Sequence, residues 1–432
     1  MPDQVIHLRA NLPAKLIMLS MVALAFLASW FVVRWYLGNT VAEHFALEER
    51  RLETAQLAAS WAPKDPLPYW RLGNLIEKEL PPDQITQSVA AYEKAVTLAP
   101  NDYRFWMSLG QALEQAGDAE KAEKALREAV RLAPSYAYPR WHLGNLLIRS
   151  DRYTEAFQEL QRASEANPEL QSQMFNLAWQ VNKDDFEALK SAIGPTPDAR
   201  AQFAKYLLER RRFDEGLRLW TSLTETEKRA RRYAADPIIA SLLANQLFHQ
   251  AMLVWNDVAP GTAYRAALDH IVDRGFQDNV AHGPDAVFGW QVESQPQLQI
   301  GIDAGVGHTG PRSLRLFFQV RSRLDGLKVS QLVPLQPNKE YELECYLMTE
   351  RLESAATPFV QIVDATDDAV LANSQTAPDG NNNWQRVALS FKTGAKTEAV
   401  RIRIMRDSCP ENAVCPIFGT VWYDDFDLKP RK

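Results

Sequence analysis

Cysteine, histidine and an excess of positive charge are the scarce features of this sequence. Only 3 of its 432 residues are cysteine, which excludes a fold held together by a framework of disulfides. Seven histidines leave little material for a histidine-based metal centre. The net charge of −6 argues against a nucleic-acid-binding protein, because no basic excess is available to neutralise phosphates. The composition is otherwise ordinary, and the length predicts two or three globular domains.

The hydrophobic residues are concentrated near the N-terminus. Residues 16–33 read LIMLSMVALAFLASWFVV and contain no charged side chain. A helix over this stretch spans about 27 Å, close to the hydrocarbon thickness of a bilayer. Arg34, Trp35 and Tyr36 follow it, as expected at a membrane interface. We therefore predict a transmembrane helix over residues 14–37, preceded by a short tail at 1–13.

The orientation of this helix follows from the charges that flank it. Arg9, Lys15 and the terminal amine favour a cytoplasmic N-terminus. The prediction is a single-pass protein of the inner (plasma) membrane whose bulk is periplasmic or extracellular. The alternative is a cleaved signal peptide, for which Ala23 and Ala25 provide a small-x-small motif.

A repeat of 34 residues follows the apolar segment. Pro100, Pro134 and Pro168 close the similar phrases AVTLAP, AVRLAP and ASEANP, and Gly110 and Gly144 lie in the phrases WMSLGQAL and WHLGNLL. The small residues allow two helices of a hairpin to approach closely, and the proline ends the second helix. This pattern resembles the tetratricopeptide repeat family over residues 67–168. The resemblance implies an α-solenoid with a concave face for ligands.

The predicted solenoid extends beyond its regular part on both sides. A helix ending in AASWAP at residues 58–63 carries the same closing phrase, so residues 38–63 are interpreted as a capping half-repeat. Three repeats then occupy residues 64–168. Residues 169–262 keep the spacing of bulky and small positions without the signature glycine and proline, and we predict degenerate helical hairpins there.

The resemblance also implies which residues line the groove. An amide recurs at the same turn of three successive first helices, with a large apolar side chain one turn earlier. Peptide-binding members of the family hold a ligand backbone through amides at this place. The alternative is that the large residues pack between helices and the amides are solvated. The predicted partner-binding residues are Trp70, Asn74, Met107, Gln111, Trp141 and Asn145.

The helical periodicity of the hydrophobic residues fades after residue 264. Short alternating runs bounded by Gly, Pro and Asn predict about nine strands without intervening helices, and hence a two-sheet jelly-roll sandwich over residues 271–430. The phrases GFQD, GHTGPRSLRL, NWQRVALSFKT and GTVWYDDFDL resemble, in that order, the carbohydrate-binding modules of the family 4, 9 and 22 group. The predicted fold class is multidomain α + β, with a transmembrane helix, a tetratricopeptide repeat α-solenoid and a C-terminal β-sandwich.

Strand alternation indicates which sandwich residues would contact a saccharide. Residues that face away from the core present polar and aromatic side chains, suited to hydroxyl hydrogen bonds and ring stacking. They form one face only if their strands share a sheet, and the alternative is an ordinary solvated face. The predicted saccharide-binding residues are Arg315, Phe317, Gln319, Tyr346, Arg401 and Arg403.

Two further predictions concern the ends of the sandwich. The family resemblance implies a structural calcium ion held by Asp278, Asp424 and Asp425, although Gln277 stands where the family's opening motif has a glutamate. Cys409 and Cys415, six residues apart in a hairpin-like loop, would close a local disulfide consistent with export, the alternative being two free thiols.

No catalytic motif is present in a suitable context. The sequence has no phosphate-binding loop, His-Glu-x-x-His or Gly-x-Ser-x-Gly motif, and its acidic pairs are adjacent along strands and so point to opposite faces. We therefore predict a membrane-anchored scaffold without enzymatic activity, whose solenoid binds a protein and whose sandwich binds glycan or a second partner, in cell-envelope polysaccharide assembly or export. The alternative is an accessory or cryptic polysaccharide hydrolase.

Overall fold

The computed structural model of the protein describes residues 12–45, 52–79, 81, 84–183, 185–259, 261, 264–278, 287–293, 298–323, 327, 329–407 and 416–431. Contacts between residues divide the chain into two compact units, Met1–Gly194 and Pro195–Lys432. The predicted fold class is confirmed: an N-terminal apolar helix and helical repeats precede an antiparallel sandwich of two sheets.

The apolar segment forms one long helix, α1 (Leu12–Thr40), which continues into a π-helical turn at Val41–Phe45. The stretch Lys15–Glu43 is long and apolar enough to cross a membrane by length and composition, and its most apolar window is not buried against the rest of the protein. The same properties fit a signal sequence. The helix therefore fits the predicted anchor and its stated alternative.

The remaining helices of the first unit are antiparallel neighbours joined by short loops. Asp118 illustrates how they begin, because its carboxylate accepts a hydrogen bond from the Lys121 backbone N–H and caps the following helix. The helices are α2 (Leu52–Trp61), α3 (Pro66–Glu79), α4 (Ile85–Leu98), α5 (Tyr103–Gln115), α6 (Ala119–Leu132), α7 (Ala137–Arg149), α8 (Tyr153–Ala166), α9 (Gln171–Asn182) and α10 (Phe186–Ile193), with a 3-10 turn at Pro168–Leu170.

The signature glycines lie where paired helices are closest. A Cβ atom added to Gly110 on α5 would come within 2.6 Å of Leu126 Cγ on α6, and one added to Gly144 on α7 would come equally close to Leu160 Cγ on α8. At Gly73 on α3 the obstacle is the ring of Tyr92 on α4. The packing role predicted for these glycines is thus confirmed.

The second unit begins with further helices, which are α11 (Pro197–Glu209), α12 (Phe213–Thr221), α13 (Glu225–Arg229), α14 (Arg232–Ala244) and α15 (Phe248–Val258). In the hairpin of α11 and α12 the close approach involves Ala204 and Gly216. A Cβ at Gly216 would lie 3.0 Å from the Ala204 carbonyl oxygen. Here alanine is on the first helix and glycine on the second, so this hairpin keeps the tight contact without the signature glycine of the first helix.

In the part of the sandwich that the structure describes, there are ten strands. They are β1 (Gln291–Val292), β2 (Leu298–Asp303), β3 (Ser313–Arg323), β4 (Val329–Pro334), β5 (Glu340–Glu353), β6 (Phe359–Asp364), β7 (Val370–Asn373), β8 (Gly380–Lys392), β9 (Ala399–Met405) and β10 (Pro416–Pro430). Sheet A has the order β1-β4-β9-β6-β7 and sheet B the order β2-β3-β10-β5-β8, with antiparallel pairing throughout the described strands.

The core lies between the two sheets and follows the alternation of the strands. Leu314, Leu316 and Phe318 of β3 face it, as do Leu343 and Cys345 of β5. Every second residue on these strands therefore points to the outer face of sheet B.

Hydrogen bonds attach the last helices to the sandwich. The Gln246 side-chain amide donates to the Thr366 carbonyl (2.8 Å), and the His249 ring nitrogen donates to the Leu335 carbonyl (2.8 Å). The Asn256 amide exchanges two hydrogen bonds with the backbone of Ala266. These contacts explain why α11–α15, predicted as part of the solenoid, group with the sandwich in one unit.

Candidate binding surfaces

The first predicted groove residue, Trp70, lies half-buried on α3. Its indole nitrogen donates a hydrogen bond to Ser108 Oγ on α5 at 2.8 Å, and its ring centroid is 5.8 Å from that of Phe105. The Arg71 guanidinium is 4.9 Å from the Trp70 ring centroid, within the range of a cation–π contact. Trp70 thus links two successive first helices and also has the partial exposure that ligand contact requires.

The predicted amides lie at equivalent turns of α3, α5 and α7 and are half-buried. The Asn74 amide nitrogen donates to the Trp70 carbonyl (3.0 Å) and the Asn145 amide nitrogen donates to the Trp141 carbonyl (2.8 Å), each one turn earlier. Gln111 instead contacts the ring of His142 in the next repeat at 3.0 Å. The Asn74 oxygen also accepts a hydrogen bond from the Tyr92 hydroxyl at 3.2 Å. A primary amide has two N–H groups and an acceptor oxygen, so these internal hydrogen bonds do not exhaust it.

Met107 and Trp141 complete the predicted set. Met107 is half-buried on α5 and packs against the core shared by α4–α8, and Trp141 packs against Ala137, Ala163 and Leu170. The structure therefore places all six predicted residues on the first helices of successive repeats with partial exposure. Their role in binding a ligand stays a prediction.

Two ionisable residues beside these positions were missed by sequence reasoning. Burial raises the pKa of the Glu77 carboxyl, which lies one turn after Asn74 on α3. Burial, followed by the positive charge of Arg149, lowers the pKa of His142. Both lie at groove-facing helical spacing from the predicted residues, which is a signal that the sequence contains. They add a carboxyl group and an imidazole beside the predicted partner-binding residues.

The predicted saccharide face is corrected by the sheet order. Arg315, Phe317 and Gln319 on β3 and Tyr346 on β5 lie on either side of β10 in sheet B, but β9, which carries Arg401 and Arg403, is in sheet A. The condition that all these strands share a sheet is therefore not met, and the six residues do not form one face. Alternation along a strand fixes the face on which a side chain lies, but the sheet to which a strand belongs depends on distant pairing.

Arg401 and Arg403 have partners on the outer face of sheet A. The Arg403 Nε donates to Gln361 Oε1 on the neighbouring β6 at 2.7 Å. Arg401 lies in register with Leu332 of β4 and Val363 of β6. These arginines thus belong to a surface separate from Tyr346 and Phe317.

The outer face of sheet B carries an aromatic group that the sequence indicated only in part. The His308 ring stacks on Tyr346 with centroids 3.7 Å apart and meets Trp384 of β8 edge-on at 5.7 Å. Further along the face, the Arg315 guanidinium lies 4.8 Å from the Phe317 ring centroid. We call His308, Tyr346, Trp384, Arg315 and Phe317 the sheet B platform. Stacked rings beside hydrogen-bonding groups are suited to a sugar ring, which has apolar faces and a polar edge.

The acidic pair at the edge of this platform is engaged by hydrogen-bond donors. The buried Asp424 carboxylate accepts bonds from the backbone N–H groups of His308 and Asp425, both at 2.7 Å, and burial raises its pKa. The Asp425 carboxylate contacts His308 Nδ1 at 2.7 Å and accepts a bond from the Thr309 hydroxyl at 2.8 Å. His308 therefore contacts both carboxylates, Asp424 through its backbone N–H and Asp425 through its ring.

These contacts bear on the predicted calcium ion. Asp278 donates its backbone N–H to Asp273 and accepts a bond from Arg312 at its own carbonyl. Within the described parts of the chain, no group of three or more His, Cys, Asp or Glu side chains converges as metal ligands. The donors around Asp424 and Asp425 do not favour a cation held by the predicted three residues, and no step below depends on one.

The structure describes one of the three cysteines, Cys345. Cys409 and Cys415 lie outside the described residues, so their predicted disulfide is not tested. Cys345 is a free cysteine that is fully buried in the sandwich core, and burial raises the pKa of its thiol. A buried thiol with a raised pKa is unreactive.

Two models of the tetratricopeptide repeat match the chain, at residues 83–137 and 115–178. This region consists of tetratricopeptide repeats, a class of repeat that serves as a scaffold for protein interaction. Among curated relatives, the peroxisomal targeting signal receptor of Candida albicans is 28% identical over 127 residues, 29% of this chain and 20% of that protein. The small glutamine-rich tetratricopeptide repeat-containing protein 2 of Mycosarcoma maydis is 30% identical over 81 residues, 19% of this chain and 23% of that protein. The match thus spans about a fifth of each relative's length.

Solved structures resemble parts of the chain. MamA 41-end from Desulfovibrio magneticus RS-1 covers 42% of this chain and 97% of its own, at 18% identity and a TM-score of 0.33. YrrB, a tetratricopeptide repeat protein with an unusual peptide-binding site, covers 48% of this chain and 91% of its own, at 19% identity and a TM-score of 0.26. A CBM4 structure covers 38% of this chain and 100% of its own, at 13% identity and a TM-score of 0.29.

Proposed function

We propose that this protein is a membrane-anchored scaffold on the exported side of the inner membrane, which binds a protein partner through its repeats and a glycan through its sandwich. The observation that carries the proposal is the row of half-exposed groove positions on successive first helices, from Trp70 through Gln111 to Asn145. Such a row offers an extended segment repeated hydrogen bonds and apolar contacts.

The anchor is supported by the exposure of α1. Large apolar side chains such as Leu19 and Phe26 are exposed by 72% and 75%, which is costly in water and favourable in lipid. Trp35 and Tyr36, both exposed by more than half, follow the apolar run at the place where interfacial aromatic residues are preferred. The proposed topology has residues 1–13 in the cytoplasm and the repeats and sandwich outside.

The sandwich is proposed to bind saccharide at the sheet B platform. Tyr346 and Trp384 provide ring surfaces, and Arg315, which lies over the Phe317 ring on β3 of the same sheet, provides hydrogen-bond donors. Combined with an anchor and a protein-binding array, such a site fits a role in assembling or exporting envelope polysaccharide. We propose binding without catalysis, since Asp424 and Asp425 are engaged by His308, Thr309 and backbone N–H groups.

A photocrosslinking experiment tests the partner-binding groove. The photoreactive residue p-benzoylphenylalanine would replace Met107 in the groove or, as a control, Lys124 on α6, whose side chain is 73% exposed. Full-length protein would be irradiated in its native membrane. We expect a discrete adduct with one protein from position 107 and none from position 124. Equal adducts from both positions, or none from position 107, would overturn the groove assignment.

A glycan array probed with the full chain in nanodiscs tests the sheet B platform. We expect binding to a saccharide class that Tyr346→Ala and Trp384→Ala reduce at least tenfold. The control Lys392→Ala changes a 68% exposed side chain on the same strand as Trp384 and should bind normally. Absence of binding to every saccharide would remove the glycan role while leaving the protein scaffold.

A further inference from the structure

The last turns of α1 fix the side of the repeat array from which the apolar helix projects. The Arg34 guanidinium donates to the Ser60 carbonyl near the end of α2 at 2.6 Å, and a Cβ atom on Gly38 would lie 3.1 Å from the Ala58 carbonyl oxygen. The π-helical turn after α1 also contacts α2. Residues 15–33, which precede these contacts, are all exposed. The apolar part of α1 therefore projects past the end of α2.

Three loops of similar sequence lie at that edge of the array. Each joins a second helix to the following first helix, and they read APKDP (62–66), APNDY (99–103) and APSYAY (133–138). Since neighbouring helices are antiparallel, the loops that precede α3, α5 and α7 share one edge, and the loops within the hairpins share the opposite edge. We call residues 62–66, 99–103 and 133–138 the proline edge. Its first loop follows α2 directly, so α1 projects from the proline edge.

The end of the apolar run lies at the level of the proline edge. Trp35 is hydrogen-bonded to Asp65 in the first loop. Trp35 and Tyr36 are more than half exposed, at the place where the helix would leave the hydrocarbon of a bilayer. A bilayer that holds α1 up to this point would therefore have its headgroup region beside the first loop of the proline edge.

Exposed tyrosines continue along the proline edge. Tyr136 and Tyr138 are exposed by 57% and 53%, and the centroid of the Tyr136 ring lies 5.0 Å from that of Tyr103 in the preceding loop. A tyrosine ring has an apolar body and a polar tip, which is why tyrosine is preferred at membrane interfaces. On the opposite edge, the exposed Tyr153 already donates its hydroxyl to Asp151 at 2.7 Å. The proline edge thus offers rings of the kind that a bilayer interface favours.

The charges of the proline edge do not oppose contact with lipid headgroups. The Asp65 carboxylate is engaged by hydrogen-bond donors of α1 and α3, and Asp102 Oδ2 lies 2.6 Å from Arg104 Nη2 in an ion pair. Lys64 is exposed and adds a positive charge in the first loop. Residues 133–138 contain no charged side chain. This surface fits a phospholipid headgroup layer, which accommodates tyrosine rings and attracts lysine.

We propose that the proline edge lies on the bilayer surface, with Tyr136 and Tyr138 in the headgroup region. This inference rests on the membrane anchor proposed for α1, which holds the edge at the bilayer and so raises its effective concentration there. The paired helices of the repeats then stand upright on the membrane. Their groove opens sideways, towards partners at the same surface.

Photocrosslinking to lipid tests this proposal. The photoreactive residue p-benzoylphenylalanine would replace Tyr138 on the proline edge, Tyr153 on the opposite edge or Trp30 in the apolar run. Each full-length protein would be irradiated in nanodiscs of phosphatidylethanolamine and phosphatidylglycerol, and lipid adducts would be detected by mass spectrometry. We expect lipid adducts from positions 30 and 138 and none from position 153.

The position in the apolar run separates failure of this inference from failure of the anchor. Adducts from position 30 without any from position 138 would overturn the membrane contact of the proline edge and leave the anchor standing. Absence of adducts from position 30 would overturn both. Equal adducts from positions 138 and 153 would show that the contact is not specific to the proline edge and would also overturn it.

A charge placed on the proline edge provides a second measurement. In the protein with the photoreactive residue at position 138, Tyr136→Glu should reduce the lipid adduct at least fivefold, because phosphatidylglycerol repels a carboxylate. Tyr153→Glu, the same change on the opposite edge, should leave the adduct unchanged. Equal thermal unfolding midpoints would show that both variants fold. The proposal is wrong if the two variants behave alike, or if position 138 forms adducts with a protein instead of lipid in the native membrane.

Discussion

The indole nitrogen of Trp35 donates a hydrogen bond to Asp65 Oδ2 at 2.8 Å and thereby joins the end of α1 to the beginning of α3. The Asn39 amide donates to the same oxygen at 3.0 Å, and the other carboxylate oxygen accepts the backbone N–H of Leu67 as a helix cap. A Cβ atom on Gly38 would lie 2.9 Å from Ala62 Cβ, so α1 also packs closely against the end of α2. The apolar helix is therefore fixed to the repeats and is not a flexible tether.

Replacing Asp65 tests this junction. Asp65→Ala removes the acceptor for Trp35, Asn39 and the α3 cap together, and loss of a cap alone costs about 0.5–2 kcal/mol. We expect a lower thermal unfolding midpoint of the full chain in nanodiscs. Asp65→Asn keeps one acceptor oxygen and should be affected less. If both variants unfold like the wild type, the junction contributes nothing to stability.

The close approach of paired helices gives a second prediction. Gly144→Ala places a methyl group 2.6 Å from Leu160 Cγ and 3.2 Å from the Ala156 carbonyl oxygen. Overpacking of this kind costs about 1–3 kcal/mol, because backbone must move as well as a side chain. Gly301→Ala is the control, since an added Cβ there meets no atom within 4 Å. Chemical denaturation should show a lower free energy of unfolding for Gly144→Ala and little change for Gly301→Ala. Equal denaturation midpoints would contradict the packing argument.

The regular repeats could be predicted from sequence because their information is local. Gly110 and Gly144 recur at a fixed spacing and each packs against the helix that follows directly. The hairpin of α11 and α12 was harder to recognise, since Ala204 and Gly216 exchange the two small positions. A pattern that counts only glycine on the first helix does not detect such an exchange.

The sandwich shows what local information cannot provide. Alternation correctly put Arg315 and Tyr346 on the outer face of sheet B, but it could not show that Arg401 lies on the other sheet. The attachment of His249 to Leu335 is equally non-local, because 86 residues separate the two. Neither relationship could be predicted from the sequence.

Acidification should destabilise the repeats through His142. Burial and the charge of Arg149 hold the pKa of His142 below its ordinary value of 6.5 in the folded state. The unfolded chain therefore binds more protons, and stability that is present above about pH 6.5 is lost as the pH falls towards the folded pKa. We expect the wild type to lose more stability than His142→Gln between about pH 7 and pH 5.

The control for this prediction is Gln111→Ala, which removes the contact with the His142 ring but no titrating group. The free energy of unfolding of Gln111→Ala should vary with pH as that of the wild type does, with a constant offset between the two curves. Parallel curves for the wild type and His142→Gln would show that His142 does not cause the effect.

Counting accessible thiols tests the predicted bridge between Cys409 and Cys415 against the buried position of Cys345. The three cysteines of the chain should give no alkylation in the native oxidised protein, because two are paired and the Cys345 thiol is fully buried with a raised pKa. Denaturation without reductant should expose Cys345 alone, and denaturation with reductant should expose all three. Cys345→Ser should abolish the labelling seen on denaturation without reductant. It should leave the labelling of Cys409 and Cys415 seen on denaturation with reductant. Labelling of Cys409 and Cys415 in the native oxidised protein would instead show two free thiols and remove this support for export.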